Sequence, residues 1–442
     1  RWQGQCADCG EWNTLVEEAP ATVTPFQAKH NLQGGGRAFQ LVSLDAEISL
    51  PDRLATGIAE LDRALGGGFV EGSATLIGGD PGIGKSTLLL QSAEAMAARH
   101  SVLYVSAEES AQQVKLRWRR LCGDGSQLQL LAETDLELVL QELESLRPAV
   151  AIIDSIQALH AAELSSAPGS VAQVRECAAA LARIAKSQNT ALLLVGHVTK
   201  EGILAGPKVL EHLVDAVLTF EGDRFASHRL LRAVKNRFGA THELGVFEMR
   251  GQGLVEVTNP SELFLGGDEP SAGTATIVAC EGTRALVVEL QALVSTTSYA
   301  SPRRTATGIG TNRLHQILAV LEKHLGLPLS RFDCYLAVAG GLEVEEPAAD
   351  LGVAAAVVAS YRDLIMPPGT VLIAELGLGG QLRPVAQLEL RLQESARLGF
   401  RRAVVPKGSG LGRLAAGLDL QLLEAGTIAE ALVAALGADT AS

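Results

Sequence analysis

Cysteine is scarce. The chain of 442 residues has six, and four of them (Cys122, Cys177, Cys280, Cys334) stand singly, which excludes a disulfide framework and favours a reducing cytoplasm. Long apolar runs are missing as well: stretches such as 353–359 fall well short of the ~20 residues of a membrane-spanning helix, so no membrane association is expected. Positive charge is in deficit, with 37 Lys and Arg against 50 Asp and Glu. Such a chain does not coat nucleic acid through bulk charge, which leaves room only for a local basic channel. The first 270 residues hold 34 of the acidic side chains and 23 of the basic ones. Residue 1 is Arg and no apolar signal segment follows, so the reading expects no export and a chain that begins inside a longer one.

What is present is enough apolar residue, 47%, for two or three cores at about 150 residues per domain. Residues 1–20 are a short Cys/Trp segment, and 21–40 carry no period and read as a linker. Between 73 and 222 short β-branched runs (SATLIGG, VLYVSAEE, LQLL, VAIIDS, ALLLVGH, DAVLTFEG) alternate with helical patterns, which predicts an α/β fold with a mostly parallel sheet covered on both faces. HRLLRAVKNR, GVFEMR and GLVEV follow without helices between them, as an antiparallel extension. The turn-rich stretch NPSELFLGGDEPSAG marks a boundary near 270. After it come paired strands (TATIVAC, RALVVELQALV), a helix over 312–324, a strand FDCYLAV, an Ala-rich helix near 348–360 and two more strand and helix pairs. The expectation is an α/β domain over 41–270 and a separate α+β domain over 271–442.

Gly79, Asp80, Pro81, Gly82, Ile83, Gly84, Lys85 and Ser86 spell GxxxxGK[ST] after the strand ATLIGG and before the helical run STLLLQSAEAMAARH. Strand, loop and helix occur in the order a phosphate-binding loop requires. Its backbone N–H groups and the helix start cradle phosphate, Lys85 reaches the β and γ oxygens, the Ser86 hydroxyl ligates Mg2+, and Thr87 belongs to the same cradle. ATP or GTP is the expected ligand. Asp154, ending VAIID, is the second candidate Mg2+ ligand, with a helix N-cap as its plain alternative. Glu108, expected beside the phosphate-loop strand, is the candidate for positioning the attacking water; Glu109 reads more naturally as a helix-dipole charge. His197, ending ALLLVGH, is the candidate γ-phosphate sensor, set against a structural histidine.

GGDPGIGKST, VSAEES, VAIIDSIQ, VGHVTKEG and the pentapeptide Lys235-Asn236-Arg237-Phe238-Gly239 together resemble the bacterial RadA (Sms) family, over essentially the whole chain. The resemblance implies a RecA-like ATPase core, a hexameric ring, and ATP-driven branch migration in homologous recombination and DNA repair, with single-stranded and branched DNA and the recombinase RecA as partners. It also implies that Glu108 is the catalytic glutamate and that His197 stands where RecA has a γ-phosphate-sensing glutamine. Lys235 and Arg237 would share a strand face, and serve as trans-acting fingers on a neighbour's nucleotide or touch DNA phosphate; a solvated strand end is the bland alternative. Two segments read as flexible, 155–171 and 198–209, correspond to the channel-facing loops of RecA-like rings, with Lys200 and Lys208 as phosphate partners. The run Lys115 to Arg120 is expected to decorate one solvated or subunit-contact helix.

Cys6 and Cys9 form one CxxC, half of a tetrahedral Zn2+ set, and the family's four-cysteine zinc finger implies Zn2+ in the full-length protein. Residues from about 274 resemble the proteolytic domain of Lon, but Ala348 stands in place of the serine and Glu389 in place of the lysine, so no hydroxyl can be activated. That domain is expected to be an inactive scaffold for ring assembly, with Arg303, Arg304, Arg313, Arg401, Arg402 and Lys407 as candidate DNA contacts. The competing function, favoured by the charge, is an ATPase switch that remodels or signals to proteins.

Overall fold

The computed structural model describes residues 53–123, 126–197, 210–222, 228–266, 271–299, 301–408 and 417–437. Cys6, Cys9, Lys200, Lys208 and the expected linker 21–40 lie outside them. Described residues of 53–161 and 166–437 belong to one compact unit.

In the first half the elements are β1 (Arg53–Leu54), α1 (Ala59–Leu65), β2 (Phe69–Val70), β3 (Ala74–Gly79), α2 (Lys85–Ala97), β4 (Val102–Ser106), α3 (Ala111–Cys122) and β5 (Gln129–Ala132). They continue with α4 (Leu136–Leu146), β6 (Val150–Asp154), α5 (Val171–Gln188), β7 (Ala191–Val195), β8 (Ala216–Glu221), β9 (His228–Asn236), β10 (Leu244–Arg250) and β11 (Gly253–Glu256). Nine strands make one sheet in the order β11-β10-β9-β8-β3-β7-β6-β4-β5. From β8 to β5 neighbours are parallel; β9, β10 and β11 add on antiparallel.

The inner strands are buried throughout, since alternate residues serve two cores. Val102, Tyr104, Val150, Ile152, Leu193 and Val195 pack with α1 and α2. Leu103, Val105, Ala151, Ile153, Leu192 and Leu194 pack with α4 and α5 on the other face. Each leucine so enclosed contributes ~1.5–3 kcal/mol. Helix starts are locally encoded: Ser110 caps α3 in a capping box with Gln113, and Ser170 caps α5.

The second half begins with α6 (Ser261–Phe264), β12 (Thr274–Glu281), β13 (Arg284–Thr296), β14 (Arg304–Thr307), α7 (Thr311–Leu325), β15 (Phe332–Val338) and α8 (Asp350–Tyr361). Then come β16 (Thr370–Leu372), β17 (Glu375–Leu376), β18 (Leu382–Arg383), α9 (Leu388–Arg397), β19 (Arg402–Pro406), β20 (Gln421–Ala425) and α10 (Ile428–Leu436). Seven strands form the second sheet, β14-β15-β13-β12-β16-β19-β20, of mixed direction. The Ala-rich helix α8 lies flat on it because small residues allow close approach; a Cβ at Gly352 would collide with Ile277.

The core does not break at 270. Leu244, Val246 and Phe264 pack in the same cluster as Leu286, Leu314 and Val357. The tip of the β12–β13 hairpin is also tied to the first half: Arg284 donates to Glu60 Oε2 at 2.5 Å, Thr283 N–H to Glu243 Oε1 at 2.9 Å, and Arg232 pairs with both Glu281 and Glu221.

Candidate nucleotide site

β3 ends in Gly79, and the loop turns into α2 through Gly84, whose φ of 118° lies in the left-handed region. Met249 and Leu254 crowd the space where a Cβ at Gly84 would stand. Lys85, the first residue of α2, is 3% exposed and donates from Nζ to the carbonyls of Gly79 (2.7 Å) and Asp80 (2.9 Å). Burial lowers its pKa to about 8, against the opposing pull of Asp154, Glu108 and Asp80. A cation held this far from water, with carboxylates near but none bonded to it, suits a dianionic phosphate.

Asp154 ends β6 and is 8% exposed. Its Oδ2 accepts from the Tyr104 hydroxyl at 2.5 Å; burial first, then the neighbouring carboxylate, raises the phenol's pKa well above its ordinary value. A short 3-10 turn, Ile156–Ala158, follows with Ser155 as its cap, so Asp154 does not serve as the cap. Ser86, the other residue expected to face Mg2+, is the second residue of α2.

Glu108 departs from expectation in one respect. β4 is not next to β3; β7 and β6 lie between them, and β4 stops at Ser106, so Glu108 sits on the loop beyond. Chain order cannot reveal this, because crossovers carry consecutive strands to non-adjacent positions. The loop nonetheless brings Glu108 to Lys85's surroundings, where it accepts from Ser155 Oγ and approaches His197 Nε2 at 3.1 Å. The histidine contact above all, with Ser155 and Lys85, holds Glu108 below the usual carboxylate range although burial opposes this. His197 lies just past β7; its backbone oxygen accepts from Gln157 Nε2 at 3.3 Å, and its Nδ1 is buried with no partner among the described residues. Glu109 turns away to pair with Arg117.

The segment after Asp154 is less free than expected. The backbone of His160 forms a β-bridge with Asp135, and Gln173 bonds both backbone groups of Ala161. On α3, Trp118 Nε1 donates to Glu94 at 2.8 Å, while Leu116 is exposed.

Lys235 and Arg237 are not both on one strand, since β9 ends at Asn236 and carries a bulge where Val217 faces Lys235 and Leu218 faces Ala233. Both still turn to one segment: Lys235 Nζ donates to the carbonyls of Glu211 (2.5 Å) and Val214 (2.7 Å), and Arg237 pairs with Asp215 at 2.9 Å. Asn236 pairs with Ala216, at the start of β8, whereas Gly79 pairs with Phe220 near its end. KNRFG therefore lies at the opposite sheet edge from its own phosphate loop. The far end of β9 does reach that loop, through Arg229 Nε, which donates to the Ile83 carbonyl at 3.1 Å. Nothing in the local sequence singled out Arg229 or Tyr104.

In the second half Ala348 is buried and Glu389 exposed. The buried base on α9 is Arg391, paired with Glu346, and Arg313 holds Asp350 with Nε to Oδ1 at 2.6 Å. Of the candidate DNA contacts, Arg303 stacks on Tyr299, Arg401 pairs with Asp419, Lys407 with Glu430, and Arg402 caps the Ala434 carbonyl; Arg304 Nε is buried with no partner among the described residues. Cys122, Cys177, Cys280 and Cys334 are all free thiols. Among the described residues no helix is long and apolar enough to cross a membrane, and no cluster of three His, Cys, Asp or Glu could hold a metal.

A mostly parallel sheet, the phosphate loop and Asp154 at a strand end define a RecA-like P-loop ATPase joined to an α+β domain. An AAA domain model matches residues 43–202, and a KaiC-like protein of Pyrococcus horikoshii aligns with 47% of this chain and 99% of its own at 20% identity and TM-score 0.39. DNA repair protein RadA of Synechocystis is 55% identical over 99% of this chain and 92% of its own length. The RadA proteins of Bacillus subtilis (47% identical, 99% of this chain and 96% of theirs) and Pseudomonas aeruginosa (50%, 95% and 93%) are similar over the same span. The chain belongs to the bacterial DNA repair protein RadA family.

Proposed function

We propose that this chain is an ATP-driven DNA motor of homologous recombination and DNA repair, which grips single-stranded DNA and promotes branch migration as a hexameric ring. It is an ATP hydrolase and not a protease. The observation that carries this reading is the separation of the phosphate loop from Lys235 and Arg237 by the run of β9 from Arg229, which touches that loop, to Lys235, roughly 20 Å at strand rise. These cations cannot serve their own nucleotide. In a ring each reaches the next subunit's γ-phosphate, and loosening from Asp215 is the step that frees Arg237.

Within one site, loop N–H groups and Lys85 hold the β and γ oxygens, and Ser86 and Asp154 hold Mg2+, which supplies charge neutralisation to the phosphates. Glu108 orients the attacking water. His197, which bonds Glu108 at 3.1 Å, links that carboxylate to the γ-phosphate position. Lys200 and Lys208 contact DNA phosphate in the channel, Cys6 and Cys9 supply half of a Zn2+ set, and the protein works in the cytoplasm alongside RecA.

Mixing tests the trans arrangement. Lys85→Ala and Arg237→Ala proteins are each inactive alone, and together they recover part of the DNA-stimulated hydrolysis; no recovery at any ratio sinks the shared site. Affinity for a single-stranded oligonucleotide should fall steeply with salt, whereas a protein-remodelling switch shows no such binding.

A further inference from the structure

We propose that Tyr104 is a positioning residue for Asp154, its hydroxyl fixing the direction of the carboxylate that would hold Mg2+; the inference rests on the reading of Asp154 given above. Tyr104 lies in the middle of β4, 1% exposed, and pairs across the sheet with Ile152 of β6. Asp154 stands two residues further along β6 on the same face, so the ring leans along the strand and delivers its hydroxyl to Oδ2 at 2.5 Å. That length is typical of a hydroxyl donating to a carboxylate.

The surroundings make this hydroxyl hard to explain by packing. Tyr104 is enclosed by the apolar cluster that includes Leu88, Val102, Val150 and Ile152, where phenylalanine would fill the same space without burying a polar group. Among the described residues Asp154 is the hydroxyl's one hydrogen-bond partner. A carboxylate free to turn about its Cβ–Cγ bond presents either oxygen in many directions. With Oδ2 bonded to the phenol, rotation stops and Oδ1 keeps a single direction, so less ordering remains to be done when the metal arrives.

The test is the Mg2+ dependence of binding, read without turnover. Fluorescence of a methylanthraniloyl-ADP probe on the full chain is titrated with Mg2+, with EDTA as the metal-free baseline. Tyr104→Phe is expected to raise the half-saturating Mg2+ concentration about tenfold and to leave the EDTA affinity unchanged. Asp154→Asn should raise it at least as much, and adding Tyr104→Phe to Asp154→Asn should have no further effect, since the hydroxyl acts through the carboxylate. An unchanged Mg2+ requirement in Tyr104→Phe overturns the inference, as does an equal loss in EDTA, which marks a packing role. If Asp154→Asn itself leaves the requirement unchanged, the reading of Asp154 falls and this inference with it; a shift in Asp154→Asn alone overturns only the inference.

Discussion

Lys85 and Arg391, one in each half, carry buried charge in opposite ways. In the first, Lys85 is buried without a carboxylate bonded to it, and its pKa falls to about 8. In the second, Arg391 is equally buried but locked to Glu346, and Asp350 is locked to Arg313. A charge left uncompensated costs stability and is retained where a ligand will compensate it, whereas a closed pair has no valence left for a substrate. In the second half the Arg391–Glu346 and Arg313–Asp350 pairs are satisfied by the chain itself.

This contrast can be broken most sharply at Lys85. Lys85→Ala is expected to abolish ATP hydrolysis, more than about a hundredfold, in a phosphate-release assay, while far-ultraviolet circular dichroism stays unchanged. Glu108→Gln should lower kcat by about a hundredfold with KM nearly constant, because the residue acts on water and not on binding. Arg391→Met should leave nucleotide affinity intact and instead destabilise the fold by about 3 kcal/mol, since it strands Glu346; a chemical-denaturation midpoint measures it, and adding Glu346→Gln should restore most of the loss.

The smallest effect is the pH response. Lys85 is charged below its lowered pKa, so affinity for the fluorescent ADP should decline as pH rises through about 8. Stability should move the other way. The folded state sheds this proton before the unfolded state does, so the cost of burying the charge is present below about 8 and relieved as pH rises from there toward 10.5. Opposite slopes for affinity and stability mark an uncompensated lysine.

Much of this was legible in the chain. GxxxxGK[ST], the apolar strand ending in Asp154 and the one preceding His197 are local patterns, and local patterns survive folding. What escaped was whatever depends on strand order. Glu108 was expected beside β3, but two strands intervene; Tyr104 meets Asp154 only because β4 pairs with β6. Arg229 reaches Ile83 only because β9 runs antiparallel. The bulge before Lys235 interrupts the alternation on which a shared face was argued.

The hairpin tip of Glu281, Gly282, Thr283 and Arg284 ties the second half to the first. The chain passes once from the first half to the second, and the Arg284–Glu60 pair and the Arg232 bridge add contacts beyond that connection. A cut at 270 would not release a motor from its scaffold but would open a wound across Leu244, Val246 and Phe264, the kind of apolar surface that aggregates.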